Sequence, residues 1–163
     1  MPPIRLAMGL TLAAALPLSA AAQTAPQQLP LSAQWCLAGQ PQTCIDLEVA
    51  RTPQQQSLGL QRRPPLPPLR GMWFPFAVPT PTRFWMHLTP EPLDMLFVSQ
   101  QQVVAVVTEA KPCMHLPCRS YGPDVPVDGV IELAGGAAAR LGIGVGTPVQ
   151  IRPLATLRQA ADR

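Results

Sequence analysis

Residues 71–98, GMWFPFAVPTPTRFWMHLTPEPLDMLFV, decide the fold because they gather most of the large apolar side chains of the chain. This segment contains all four Phe, two of the three Trp, three of the six Met and one of the two His. Aromatic side chains bury a large area and dominate the energetics of a core. The segment also carries one Asp within the apolar run PLDMLFV. We therefore expect these residues to supply both the core and the wall of a pocket.

Short apolar runs separated by turn residues continue on both sides of this segment. In residues 43–49 apolar side chains alternate with acidic ones, which is typical of a half-buried strand. The 22 prolines exclude long helices, because proline lacks the amide donor that a helix needs. Two short helices are predicted, one capped by Thr52 and one over residues 135–142. The predicted strands are residues 34–37, 43–49, 72–74, 82–86, 93–98, 103–108, 127–133 and 145–152. This pattern predicts a mainly β, single-domain β-sandwich or barrel with two short helices.

The ends of the chain predict export and set the domain limits. Arg5 precedes a short apolar run, and Ala20, Ala21 and Ala22 form a cleavage site of small residues before Gln23. Residues 1–22 are therefore predicted to be a signal peptide, with an uncleaved N-terminal anchor as the alternative. We expect a disordered tail over residues 23–33, the β-sandwich domain over 34–153 and a loose C-terminal tail over 154–163. The expected location is periplasmic or extracellular, without a membrane segment after cleavage.

The four cysteines lie beyond the predicted signal peptide and form two local pairs. An even number of cysteines in an oxidising compartment indicates disulfides, and four cysteines allow three connectivities. Each local pair flanks its own turn, which favours Cys36–Cys44 and Cys113–Cys118. The alternative for the second pair is a loop that binds a soft metal through thiolate, thioether and imidazole groups. We expect the disulfide, and we predict no metal site and no cofactor.

The charge and the motifs exclude several classes of function. The formal net charge is +3, and no basic run exists beyond Arg62 and Arg63. We therefore expect no nucleic-acid partner. The sequence contains no nucleophile elbow, P-loop, paired-His zinc motif or dinucleotide fingerprint. An enzyme that depends on one of these motifs is excluded, and the expected partner is a small molecule or a component of the cell envelope.

Several short motifs together resemble one protein family. They are Arg51-Thr52-Pro53, Arg70-Gly71-Met72, Phe84-Trp85-Met86, Pro92-Leu93-Asp94-Met95-Leu96-Phe97 and Val130-Ile131-Glu132-Leu133. Over about residues 43–152 the chain resembles domain-of-unknown-function family 192 (DUF192), small and often exported proteins of bacteria and archaea. The resemblance implies a β-sandwich, jelly-roll-like fold and no established activity. His87 and Leu88 stand where the family usually has Lys and Asn.

Two aromatic residues and an acid are the candidate site. Trp85 and His87 share one face of a predicted strand and could line a pocket. Asp94 lies in an apolar strand, where a carboxylate must be paired or hydrogen-bonded. Arg51 or Arg62 is expected near it. The alternative role for Asp94 is to cap the turn before its strand by accepting backbone amides.

Two functions of different classes fit this candidate site. The first is an exported binding or accessory module with an aromatic pocket around Trp73, Trp85, His87 and Asp94. The second is a small hydrolase or isomerase that uses His87 and Asp94 as an acid/base pair. The absence of a nucleophile or metal motif favours the first. A hydrogen bond between His87 and Asp94 in a concave pocket would favour the second.

Overall fold

The computed structural model describes residues 25–161, so the predicted signal peptide lies outside the described residues. The elements in chain order are β1 (Leu31–Leu37), β2 (Gln40–Val49), α1 (Pro53–Leu58), β3 (Arg70–Thr80), β4 (Phe84–Trp85), β5 (Leu93–Ser99), β6 (Gln102–Ala110), β7 (Ser120–Tyr121), β8 (Val127–Ala134), α2 (Ala137–Arg140), β9 (Ile151–Pro153) and α3 (Leu154–Ala161). The prediction of a mainly β protein with short helices is confirmed, with three helices instead of two.

Seven strands form one mixed sheet in the order β6-β5-β8-β3-β2-β1-β9, and β4 pairs with β7 separately. Strands β2 and β3 are parallel, so the chain must cross back between them. Helix α1 lies in this crossover. It begins as predicted, since the Thr52 hydroxyl accepts from the Gln55 amide while the Gln55 side chain accepts from the Thr52 amide.

The large sheet is not closed. Its edge strands β6 and β9 do not pair with each other in the described part of the chain. Instead, the Val103 amide donates to Thr147 O at 3.0 Å and the Gly146 amide donates to Val103 O at 2.8 Å. The predicted strand 145–152 is reduced to β9, because Gly146 has a φ of 86° and Pro148 has no amide to donate. The structure therefore does not confirm a two-sheet sandwich or a closed barrel.

Both faces of the sheet are buried, each against its own core. Alternate residues of β5 show this, since Leu96 and Val98 belong to one core and Met95 and Phe97 to the other. The first core includes Trp35, Ile45, Leu47, Leu96, Val98, Ile131 and Leu133. The second core includes Met72, Phe74, Met86, Met95, Phe97 and Val130. Burial on both faces explains why β5 is an almost continuous apolar run.

Regular secondary structure occupies part of both predicted tails. Strand β1 begins at Leu31, within the expected disordered tail. Before it, the Gln27 side chain donates to Gln55 O and Gly59 O at 2.8 and 3.0 Å. At the other end, α3 occupies the expected loose tail, because LATLRQAA contains mostly good helix formers. A strand and a helix thus occupy part of the ranges that the sequence predicts to be tails.

Both predicted disulfides are present, Cys36–Cys44 across the β1–β2 hairpin and Cys113–Cys118 in the loop before β7. No cysteine is free in the described residues. Two disulfides indicate an oxidising environment. Between residues 25 and 161, no helix combines the length and the apolar character that crossing a bilayer requires.

Candidate functional site

Asp94 is fully buried and binds backbone amides. Its Oδ1 accepts from the amides of Glu109 and Gly136 at 2.8 and 3.0 Å, and its Oδ2 accepts from the Ala138 amide at 2.7 Å. Gly136 is the N-cap of α2, so this carboxylate ties β6 and the start of α2 to β5. Asp94 accepts amides, as the alternative interpretation expected, but from β6 and α2 and not from the turn before its own strand.

His87 contacts Trp85 but does not contact Asp94 through a hydrogen bond. The centroids of the Trp85 and His87 rings are 5.4 Å apart, with an angle of 48° between the planes. Asp94 is paired in register with Leu133 of the first core, so its side chain points to that face of the sheet. Within residues 25–161 no hydrogen bond joins Asp94 to His87. The acid/base pair stays a prediction without a contact to support it.

The two candidate arginines and Trp73 lie elsewhere. Arg51 and Trp73 line an open groove of about 330 Å³ together with Asp128. Arg62 is exposed, and its amide donates to Leu88 O at 2.7 Å. Neither arginine forms an ion pair in the part of the chain that the structure describes. The predicted set is thus divided between this groove, the Trp85–His87 contact and the amide-bound Asp94.

A cavity of about 220 Å³ lies between the end of α1 and the second core. It is lined by residues 56–61, Phe74, Arg83, Phe84, Trp85, Thr89 and Glu132, and we call it the Glu132 cavity. The rings of Phe74 and Phe84 meet edge to face at 5.0 Å. Trp85 contributes a side chain that is 50% exposed, so this wall is open to solvent. The cavity is therefore aromatic on one side and reachable from outside.

Glu132 lies on a central strand of the sheet, at a position where most proteins have an apolar side chain. It lies in β8 opposite Met72 of β3 and Met95 of β5, both fully buried. Glu132 itself is 4% exposed. Its carboxyl group forms no hydrogen bond or ion pair with any described residue. Neither of its oxygens is fully enclosed without a partner; among the described residues the side-chain atom in that state is Arg63 Nε. Burial raises the pKa of Glu132 from 4.5 to about 8, because the low-dielectric surroundings disfavour the charge.

Glu48 shows what a partnered carboxylate looks like on the same face. It lies opposite Met72 on the side away from Glu132, so the two acids flank one methionine. Its Oε2 accepts from Arg63 Nη1 and from the Leu29 amide, both at 2.8 Å. These contacts compensate the burial of Glu48. Glu132 has no corresponding contacts, which makes it a candidate for an external partner.

Comparison with known proteins identifies the family. The model of DUF192, described as "Uncharacterized ACR", matches residues 34–151. The chain belongs to the DUF192 family. No curated protein matches it.

Two solved structures are similar to this DUF192 protein. A protein of unknown function from Novosphingobium aromaticivorans DSM 12444 is 31% identical, with a TM-score of 0.66 over 81% of this chain and 96% of that chain. A "putative transcription regulator" from Sinorhizobium meliloti 1021 is 28% identical, with a TM-score of 0.64 over 76% of this chain and 92% of that chain. The predicted resemblance to DUF192 is confirmed. The descriptions of the two relatives do not assign an activity to this protein.

Glu132 is not among the predicted site residues of this DUF192 protein, although the sequence carries a signal for it. Glu132 interrupts the apolar run VIEL, just as Asp94 interrupts PLDMLFV. Alternation alone places such an acid on the solvent face of a half-buried strand. Only the position of β8 between β3 and β5 buries both of its faces.

Among residues 25–161, no group of three or more His, Cys, Asp or Glu is arranged to hold a metal ion.

Proposed function

We propose that this DUF192 protein is an exported binding module whose small-molecule ligand occupies the Glu132 cavity. The observation that carries the proposal is the unpartnered carboxyl group of Glu132 at the cavity wall. A carboxyl group at the wall of a mostly buried cavity is poorly hydrated, and a ligand that hydrogen-bonds to it offsets the cost of that desolvation. An apolar pocket with a few convergent polar groups and a perturbed pKa is typical of a binding site.

The aromatic side chains support binding at this place. Phe74 and Phe84 form the inner wall, and the half-exposed Trp85 forms the outer one. The Thr89 hydroxyl, also buried, supplies a second polar group beside Glu132. His87 is not a lining residue, but its ring contacts Trp85, which is one. This site keeps Trp85 from the sequence-based candidates, with His87 beside it, and replaces Asp94 with Glu132.

The geometry gives the hydrolase or isomerase no support, because the three partners of Asp94 are backbone amides and not His87. Export is part of the proposal on two grounds. The first is the signal-like sequence of residues 1–22. The second is the pair of disulfides, which belong to an oxidising compartment.

A fragment screen by protein-observed NMR tests the cavity without knowledge of the natural ligand. We expect bound fragments to shift the amide resonances of Gly59, Thr89 and Glu132. Trp85→Ala should weaken this binding by about tenfold, because it removes the outer wall of the cavity. Val145→Ala, at a highly exposed residue outside the cavity, is the matched control and should have no effect. Fragments that instead mapped to the groove of Arg51 and Trp73 would overturn the location of the site.

A further inference from the structure

Among the described residues that line the Glu132 cavity, none pairs a positive charge with Glu132. Within the described residues the cavity's single acidic side chain faces three aromatic rings and two buried methionines. We propose that the ligand of this cavity is a small organic ammonium cation, with Glu132 as its counter-ion. This inference rests on the proposed binding function and specifies the chemistry of the ligand.

The protein itself does not supply the missing positive charge. Arg83 is the one arginine or lysine among the lining residues, and its guanidinium is bound to the Asp124 carboxylate and to Gly122 O. Helix α1, which forms the opposite wall, has the sequence PQQQSL and carries no charge. On the same face of the sheet, Arg63 is bound to Glu48. Arg83 and Arg63 therefore each pair with an acid other than Glu132, although Arg63 Nε has no hydrogen-bond partner among the described residues.

The walls of the cavity also fit a cation. The faces of aromatic rings attract ammonium groups, most strongly those of Trp, and the attraction grows when water is excluded. Trp85, Phe84 and Phe74 provide such rings beside Glu132. An anionic ligand would disfavour ionisation of Glu132 further, and a neutral ligand would leave the acid protonated. A cation differs from both, because it favours the ionised carboxylate and pairs with it. An ammonium group would form an ion pair with the carboxylate and cation–π contacts with the rings.

Binding of a cation should release a proton. Because its pKa is about 8, Glu132 is mostly protonated at pH 7 in the free protein. A cation favours the carboxylate, so the O–H bond of Glu132 breaks on binding and the proton passes to the solvent. The other titratable groups near the cavity are His87 beside Trp85, Glu48 with Arg63, and Asp124 with Arg83. Their charge states are controlled for by comparison with Glu132→Gln.

Matched probes separate the effect of charge from that of shape. Choline is compared with its neutral isostere 3,3-dimethylbutan-1-ol, and butylammonium with butan-1-ol, by calorimetry at pH 7 in two buffers of different ionisation enthalpy. We expect at least one cation to bind about tenfold tighter than its isostere and to release close to one proton. In Glu132→Gln, which keeps the shape but loses the charge, the preference and the proton release should both disappear.

The outcomes distinguish this inference from the proposed function. If the alcohols bound in the cavity as tightly as the cations, the ammonium inference would fail while the binding function would survive. If neither cation bound, the ammonium inference would also fail, and the fragment screen would decide the binding function separately. Should Glu132→Gln not fold, the wild-type protein still gives the answer, because cation binding without proton release contradicts the role of Glu132.

Discussion

Asp94 and Glu132 project from neighbouring strands to opposite faces of the same sheet. In the β5–β8 pairing, Asp94 is opposite Leu133, whereas Glu132 is opposite Met95. Leu133 belongs to the first core and Met95 to the second. Asp94 accepts three backbone amides, while Glu132 accepts no hydrogen bond from the described residues. Two buried acids in adjacent strands thus have different tasks, since one is used by the fold and the other faces a cavity.

Asp94→Asn should destabilise the protein by about 3 kcal/mol, because the amide keeps one acceptor oxygen and turns an NH₂ group toward a buried amide donor. Asp128→Asn is the matched control, since Asp128 is half-buried and its Oδ2 accepts one amide, from Gln100. We expect that control to lose less than about 1 kcal/mol. Thermal and urea melts measure both. An unchanged melt for Asp94→Asn would contradict the anchoring role.

The part of the fold that could be predicted is the part with local signals. Short apolar runs between turn residues located β2, β5, β6 and β8, and the capping box located α1. The spacing of the cysteines predicted both disulfides. These signals lie within a few residues of the structure that they specify. Helix α3 lies where the sequence predicts a loose tail.

The candidate site depends on contacts that no local pattern records. The three amides bound by Asp94 come from Glu109, Gly136 and Ala138, which are 15 to 44 residues away in sequence. The burial of Glu132 depends on the order of the strands, including the parallel β2–β3 pair. Sequence reasoning therefore recognised that an acid in an apolar strand needs a partner, but it could not tell which acid has one.

Arg63→Met should cost about 3–5 kcal/mol of stability, because it leaves Glu48 buried without its ion-pair partner. Arg70→Met is the control, as the Arg70–Asp46 pair has the same length but side chains about one-third exposed. Solvent screening reduces its expected cost to about 0–1 kcal/mol. The double variant Arg63→Met/Glu48→Gln should recover much of the loss in denaturant melts. Equal losses for Arg63→Met and Arg70→Met would contradict the importance of burial.

Replacing either cysteine pair by serines should lower stability by about 2 kcal/mol, since each disulfide closes a short loop. The Cys113→Ser/Cys118→Ser variant should also loosen the bridge between His87 and Cys113, next to Trp85. Hydrogen exchange at the Leu88 amide, which donates to Cys113 O, reports this change. The Cys36→Ser/Cys44→Ser variant should leave that amide protected. Free thiols in the native protein would contradict the presence of these two disulfides.

Signal cleavage should leave a mature N-terminus at or near Gln23, after the small residues Ala20, Ala21 and Ala22. N-terminal sequencing of protein from the producing cells measures this directly. The Ala20→Arg/Ala22→Arg variant should slow cleavage and leave unprocessed protein, because a large charged residue does not fit a site for small residues. Sequencing that found Met1 or Pro2 on the native protein would exclude cleavage.

The pH dependence of stability should report Glu132 directly. Below pH 4.5 this carboxyl group is protonated in both the folded and the unfolded chain, and its contribution to folding is complete. As the pH rises toward 8, the unfolded chain ionises while the folded protein keeps the proton, so stability falls by a few kcal/mol. Above that pH both states are ionised and the fall ends.

Glu132→Gln cannot ionise, so it should be more stable than the wild type at pH 8 and should lack this slope. Melts of both proteins between about pH 4.5 and pH 9 measure the difference. Parallel curves would show that folding does not change the pKa of Glu132, which would contradict its desolvation at the proposed site.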